Sequence, residues 1–525
     1  MESSYNRLWE DSMAESPPKT LKVEQGGAIP SWLKGTLIRN GPGCFGTNER
    51  KYLHLFDGLA KLTRFAFSGA GDEIIFSAKF IRSNFFQKIV GENCMPPSVT
   101  TGPVSPPWSL LESIQGAFMP TVTFDNTPVN IHQMGGPGGR LVAVTDAPVA
   151  MEFDPATLET IGRVTYKDAI TSGSLASKEL FSTAHPHTSR EGYTINYFLE
   201  LDPLGSNAAL IVQTDKEMRR KVVGKVPINF IPYIHDISVT DTKAVLCIWP
   251  FRVNQLSLFN GKGFLPQLDW KVEDGTKILI FDLDKTDAGP IAEYQAPAMF
   301  AYHHVNAWDT PSGDVVFDVS GYKTPGIVNG EHLFALLPNV KDPSKRGLQE
   351  SDASWFRYTI PLSVQKRGLV SPVELKAVLE GQKFTAELVT INPRFQRREN
   401  RYSYGFTGFA GVGADRGGFL EWGIVKLDHQ AAHRVAAEQL LFRPTTAQVW
   451  KQPHCYPSEP IMVPHPCDVT SVAGEDDGVV LSQVYDADRQ DSFLLVLDAK
   501  SMTELARVYL GMVCPASFHG KWIAP

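Results

Sequence analysis

The sequence predicts an all-β protein: a seven-bladed β-propeller with a helical cap formed by loop insertions. Three observations support this. First, five segments share one pattern of short apolar strand, aspartate, polar turn and second strand: AMEFDPATLETIGRV, LIVQTDKEMRRKVVGKV, KILIFDLDKTDAGPIAEY, GIVKLDHQAAHRVAAEQL and FLLVLDAKSMTELARVYL. A repeated supersecondary unit is the signature of repeat architectures. Second, the hairpin LTRFAFSGAGDEIIFSAKF alternates apolar and polar residues, the period of a half-buried strand. With it and a weaker unit near Trp355, the count reaches about seven, and closed antiparallel repeats of that number form propellers. Third, helical patterns are few.

Residues 1–20 read as a polar N-terminal arm, and 21–525 as one propeller domain, since no Gly/Ser- or Pro-rich linker divides the 525 residues. GTLIRNGPGCFG and HLFDG follow as glycine-dense strand and turn segments. IRSNFFQKIV and SPPWSLLESIQGAFMP are the clearest helices, both after the first hairpin. In the second, Trp108, Leu111, Ile114 and Phe118 fall near helical spacing. The bland reading is a helix capping the propeller; the sharper one is peripheral membrane contact through residues 105–120.

Net charge is −7 with no long run of one sign, which gives no nucleic-acid surface. The six cysteines show no CxxC pair and read as free thiols in a reducing compartment. With no secretory h-region and no stretch of about 18 apolar residues, the expected location is cytoplasmic, with or without peripheral membrane association.

The repeat aspartates are Asp154, Asp215, Asp282, Asp428 and Asp498. His235 lies 20 residues after Asp215, His303 lies 21 after Asp282, and His519 lies 21 after Asp498. His185 lies 31 after Asp154, and Glu459 lies 31 after Asp428. One residue type at one repeat position implies convergence on a shared axis, and convergent imidazoles suggest a metal. Imidazole alone does not choose among Zn, Cu, Fe and Ni. The absence of cysteine favours an open site over a closed structural zinc site. The shared offset selects His303 over His304, whereas His187, two residues from His185, competes with it for the same strand face. His54, His132, His332, His429, His433, His454 and His465 lack repeat support and read as structural or surface residues. Ligating histidines pass their second N–H to an acceptor, and Glu387, Glu459 and Asp146 are the acids placed to accept it.

These residues resemble the carotenoid cleavage oxygenase family, in particular its animal branch of β-carotene oxygenases and the retinal pigment epithelium isomerohydrolase. The resemblance runs from GTLIRNGPG and HLFDG through TAHPH, YIHD, YHHVNAW and YPSEPI to EDDGVVLS and FHG. It implies a non-haem dioxygenase with one Fe(2+) per chain that uses O2 to cleave a C=C bond of a carotenoid or apocarotenoid, giving carbonyl products such as retinal. His185, His235, His303 and His519 match the family's metal ligands; Glu387, Glu459 and Asp146 match the acids behind them. Thr145 matches a threonine that crowds a vacant coordination position, and Tyr233 and Phe518 are expected in the walls of an apolar tunnel. Alternatives are retinoid isomerohydrolysis, cleavage of another conjugated olefin such as a stilbenoid, and, least favoured, a non-enzymatic binding propeller. Three departures stand out. Asp146 replaces the usual Glu, so its shorter arm predicts a shifted histidine or a bridging water. Glu387 is followed by Leu-Val-Thr where a proline is usual. ENCMPPSVTTGPVSPPW replaces the vertebrate Pro-Asp-Pro-Cys motif.

Overall fold

In the computed structural model seven sheets of four or five strands, antiparallel but for one parallel pair (Ala292–Ala296 with Arg367–Leu369), form the seven expected blades, and three two-stranded sheets lie beside them. The structure describes residues 2–118, 122–167, 170, 178–202, 207–254, 262–329, 336–341, 353–408, 422–438, 445–466 and 474–525. Blade one is closed by both ends of the chain: Lys34–Cys44 pairs with Leu59–Ser68 on one side and with Gly520–Ile523 on the other. Joining N- and C-terminal strands in one blade leaves no open edge in the ring.

The repeat pattern has a direct structural meaning. In blades two, three, four, six and seven the aspartate ends the third strand and caps the turn that follows. Asp154 Oδ1 accepts the backbone N–H of Ala156 and Thr157 at 2.9 and 2.8 Å. Asp215 accepts Glu217 and Arg219, Asp282 accepts Asp284, Asp428 accepts Ala431, and Asp498 accepts Lys500 and Ser501. Such Asx turns replace the backbone pairing that a turn loses. After the turn come the outer strand and a crossover to the axis strand of the next blade, so a fixed offset from aspartate reaches the axis.

One repeat departs from the pattern. After Trp422–Asp428 the chain forms a helix, His429–Glu438, and the fourth strand is Ala447–Lys451. The stretch HQAAHRVAAE is alanine-rich and favours helix, and Asp428 caps it. IRSNFFQKIV forms two short helical turns, Asn84–Phe86 and Gln87–Gly91, begun by the Ser83 hydroxyl accepting Phe86 N–H.

The N-terminus is not the expected polar arm. Glu2–Asn6 is helical, Tyr5, Leu8 and Trp9 are buried, and Ser16–Lys22 is the outer strand of blade one. Tyr5, Leu8 and Trp9 stand three and four residues apart, so one helical face packs inward despite the acidic composition around it.

Leu110–Phe118 is helical as expected. Trp108 packs inward, while Leu110 and Leu111 are 70% and 76% exposed. Among the described residues no helix is long and apolar enough to cross a membrane.

Candidate metal centre

All seven blades send a residue to the axis. His519 immediately precedes the closing strand of blade one, and Asn130 begins the axis strand of blade two. His185 lies between the two short axis strands of blade three, His235 before that of blade four, and His303 within Phe300–Asp309 of blade five. Glu387 opens the axis strand of blade six, and Glu459 lies between the two axis strands of blade seven.

The four histidines converge, each offering one ring nitrogen, with these atoms all within 4.8 Å of one another. The His185 ring lies 4.4 Å from that of His519 and 4.9 Å from those of His235 and His303, centroid to centroid. Three rings are backed by carboxylates. His303 Nδ1 meets Glu387 Oε2 at 2.5 Å, and Tyr322 OH donates to Glu387 Oε1 at 2.6 Å. His519 Nδ1 meets Glu459 Oε1 at 2.8 Å, and Gly520 N–H donates to Glu459 Oε2 at 2.8 Å. His235 Nδ1 meets Asp146 Oδ2 at 2.8 Å. A proton held on each Nδ1 leaves Nε2 free to ligate. His185 is held differently, with Nδ1 3.3 Å from the amide nitrogen of Asn130, which also donates to Ala184 O.

Asp146 reaches His235 directly despite its shorter arm. Its loop is pinned by neighbouring groups: Ser182 N–H donates to Asp146 O, Ala184 N–H to Asp146 Oδ1, and Ser182 Oγ to Ala147 O. Tyr233 OH adds a bond of 3.1 Å to Asp146 Oδ2. Thr145 directly precedes Asp146 and, with Ser182, Thr183 and Pro186, lines a small cavity.

His187 does not share the face of His185. Pro186 breaks the strand between them, and His187 Nε2 turns to Asp236 at 3.1 Å. Irregular pairing on both sides of His303 re-aims that strand. His303 therefore points to the axis, and His304 points between blades to Ser238 Oγ at 2.6 Å. Of the other histidines, His132 bonds Thr194, His429 bonds Ser403 and His454 bonds Asp488, while His54 accepts Phe56 N–H. His332 lies outside the described residues.

The electrostatics suit a bound cation. Burial, reinforced by the neighbouring rings, pushes His185 and His519 well below the ordinary imidazole range, so both are neutral. Burial pushes Glu459 up to about 7 against the pull of Arg39; a positive charge among the rings would favour its ionised form. His185 Nε2 and His303 Nε2 are buried without a hydrogen-bond partner. His54 and His304 Nε2 share that state, but neither belongs to the convergent group. Buried, unpaired and convergent nitrogens fit a transition metal that prefers imidazole.

Spacing does not reveal Arg39, Asn130, Tyr302 or Tyr322. Arg39 is fully buried and donates to Glu459 O at 2.9 Å and Ser517 Oγ at 2.7 Å, its guanidinium 3.8 Å from Glu459 Oε2. Its one signal is its place in GTLIRNGPG. Tyr302 sets its ring edge-on to His235 at 5.2 Å.

A propeller that turns four imidazoles onto its axis, three of them braced by carboxylates, offers a metal ion four ring nitrogens on a frame of rigid strands. The family model described as retinal pigment epithelial membrane protein matches residues 10–524, and the chain belongs to this carotenoid oxygenase family. It is 28% identical to mouse beta,beta-carotene 15,15'-dioxygenase, over 95% of this chain and 88% of that protein. It is 26% identical to the carotenoid isomerooxygenase of Galleria mellonella, over 99% and 96%. It is 29% identical to a chloroplastic carotenoid cleavage dioxygenase 8 homologue of rice, over 95% and 84%. Among solved structures, cobalt-substituted apocarotenoid oxygenase of Synechocystis has the same fold, with a TM-score of 0.77 at 22% identity over 100% of this chain and 99% of that one.

Proposed function

We propose that this chain is a non-haem iron dioxygenase that cleaves one C=C bond of a carotenoid or apocarotenoid. In the balanced reaction one C=C and one O2 give two C=O, and both oxygen atoms enter the products. The observation that carries this reading is the convergence of four imidazoles beside an aromatic wall. His185, His235, His303 and His519 would hold one Fe(2+) per chain; when bound it supplies the redox-active centre that lets O2 react with a double bond. The chain's own residues do the rest. Glu387, Glu459 and Asp146 hold the Nδ1 protons of three rings, which fixes their tautomers. Tyr302, Tyr233, Phe56 and Phe518 offer ring faces and edges to a polyene, which has almost nothing to hydrogen-bond. Tyr233 spends its hydroxyl on Asp146 and so presents a ring to the chamber. Thr145, directly before Asp146, is the residue that would steer oxygen.

The test is anaerobic loading with Fe(II), then β-carotene, a xanthophyll and an apocarotenal under 18O2, with products identified by chromatography and mass. Labelled aldehydes are expected from at least one polyene, and none from any would overturn the reading. Likeness to an enzyme named carotenoid isomerooxygenase favours a second reading, cleavage coupled to isomerisation, which a Z-configured product would reveal.

We also propose peripheral membrane contact through residues 105–120, supported by the exposed Leu110 and Leu111. Replacing both by serine should abolish co-flotation with phosphatidylcholine vesicles; undiminished flotation would refute the contact.

A further inference from the structure

Three of the four converging rings rest on a carboxylate, and the fourth does not. Glu387, Glu459 and Asp146 accept the Nδ1 protons of His303, His519 and His235, whose other nitrogens then turn a lone pair toward the axis. At His185 the neighbour is the side-chain amide of Asn130, whose nitrogen lies 3.3 Å from Nδ1. Two backbone partners settle which way that amide points. Its oxygen accepts Ile131 N–H at 2.7 Å, and its nitrogen donates to Ala184 O at 3.0 Å. A flipped amide would set N–H against N–H at Ile131 and oxygen against oxygen at Ala184, leaving all four groups unpaired. The backbone here is pinned as well. Asn40 Nδ2 donates to Asn130 O at 3.2 Å, and Asn40 N–H donates to His519 O at 2.8 Å.

We infer that Asn130 is the positioning residue of His185 and sets this ring the opposite way from the other three, with Nδ1 accepting and the hydrogen on Nε2. His185 then limits how tightly the site holds a metal ion. This rests on the reading above that the four histidines are the ligands of one cation. An amide nitrogen carries two hydrogens and accepts none. One of Asn130's goes to Ala184 O, and the other is left for His185 Nδ1. A neutral imidazole that accepts at one nitrogen carries its hydrogen on the other. His185 Nε2 is buried without a hydrogen-bond partner and faces the other rings of the cluster. One N–H among three lone pairs suits the metal-free protein, in which four converging lone pairs would repel one another. It does not suit a cation, which needs that nitrogen bare. A side chain that accepts at position 130 would instead hold His185 as the glutamates hold His303 and His519, its lone pair already turned to the axis.

The experiment titrates Co(II), followed by its visible absorption, into metal-stripped wild type and Asn130→Asp. Asn130→Asp replaces the donor at Nδ1 with an acceptor and should bind Co(II) about tenfold or more tightly than wild type, since an outer hydrogen-bond partner is worth roughly 10–100-fold in metal affinity. An Asn130 that merely supports the strand predicts the reverse, weaker binding by the variant. Ring-nitrogen NMR of metal-free wild type labelled with 15N-histidine reads the hydrogens directly, with His185→Gln identifying the His185 signals. His185 should carry its hydrogen on Nε2, and His235, His303 and His519 on Nδ1. Melting curves establish whether Asn130→Asp is folded, because its second oxygen faces Ala184 O; if it is not, the NMR measurement alone decides. A His185 with its hydrogen on Nδ1, or a folded Asn130→Asp that binds Co(II) no more tightly than wild type, would overturn the inference. A wild type that binds no Co(II) at all defeats the metal centre instead, so the two failures are distinguishable.

Discussion

Replacing His303 with alanine is expected to abolish metal binding, whereas replacing its neighbour His304 should leave it intact. The two imidazoles are adjacent in sequence and both are buried. His303 gives its Nδ1 to Glu387 at 2.5 Å and stands 4.9 Å from His185, 5.4 Å from His235 and 5.0 Å from His519 by ring centroids. Removing it takes away one ligand and leaves Glu387 a buried carboxylate held by Tyr322 and Leu388 N–H alone. Loss of an outer hydrogen-bond partner costs roughly 10–100-fold in metal affinity, so loss of the ligand itself should exceed about a hundredfold. His304 bonds Ser238 Oγ and stacks on Phe317 at 6.0 Å and 9° between the rings. His304→Ala should cost about 1–3 kcal/mol of stability through the lost packing and the orphaned hydroxyl. Iron per chain by elemental analysis, alongside thermal melting, separates the effects. Retained iron in His303→Ala with loss in His304→Ala would reverse the assignment.

That assignment was legible because the offset is geometric. Each repeat aspartate ends a third strand, and the outer strand and crossover that follow have nearly constant length, so His235, His303 and His519 fall 20 or 21 residues on. The longer interval shared by His185 and Glu459 has the same cause with extra chain inserted. What spacing could not show are contacts made by single residues from distant strands. Arg39 reaches Glu459 across 420 positions, and Asn130 reaches His185 across 55, with no periodicity attached to either. The N-terminal segment was misread for a different reason: average polarity concealed three apolar side chains on one helical face.

Leu388→Pro is expected to break this protein. Leu388 has a φ of 49°, in the left-handed region that proline, locked near −65°, cannot enter. Its N–H donates to Glu387 Oε2 at 2.9 Å, the same oxygen that meets His303 Nδ1. Proline would remove that donor and force the backbone at the start of the blade-six axis strand to turn. A proline at an incompatible position costs about 3 kcal/mol or more, and here the displaced carboxylate also releases the tautomer of a metal ligand. The variant should therefore melt lower and hold less iron than wild type. Leu388→Gly separates the two contributions: it keeps the N–H and relieves a left-handed strain of roughly 1–2 kcal/mol, so iron should be retained. A proline variant with wild-type iron content and melting temperature would show that this backbone N–H does not hold Glu387. Because Leu388 also lines an apolar cavity beside Phe518, one residue joins the chamber wall to the carboxylate that orients His303. A left-handed residue with an N–H does here what a proline cannot.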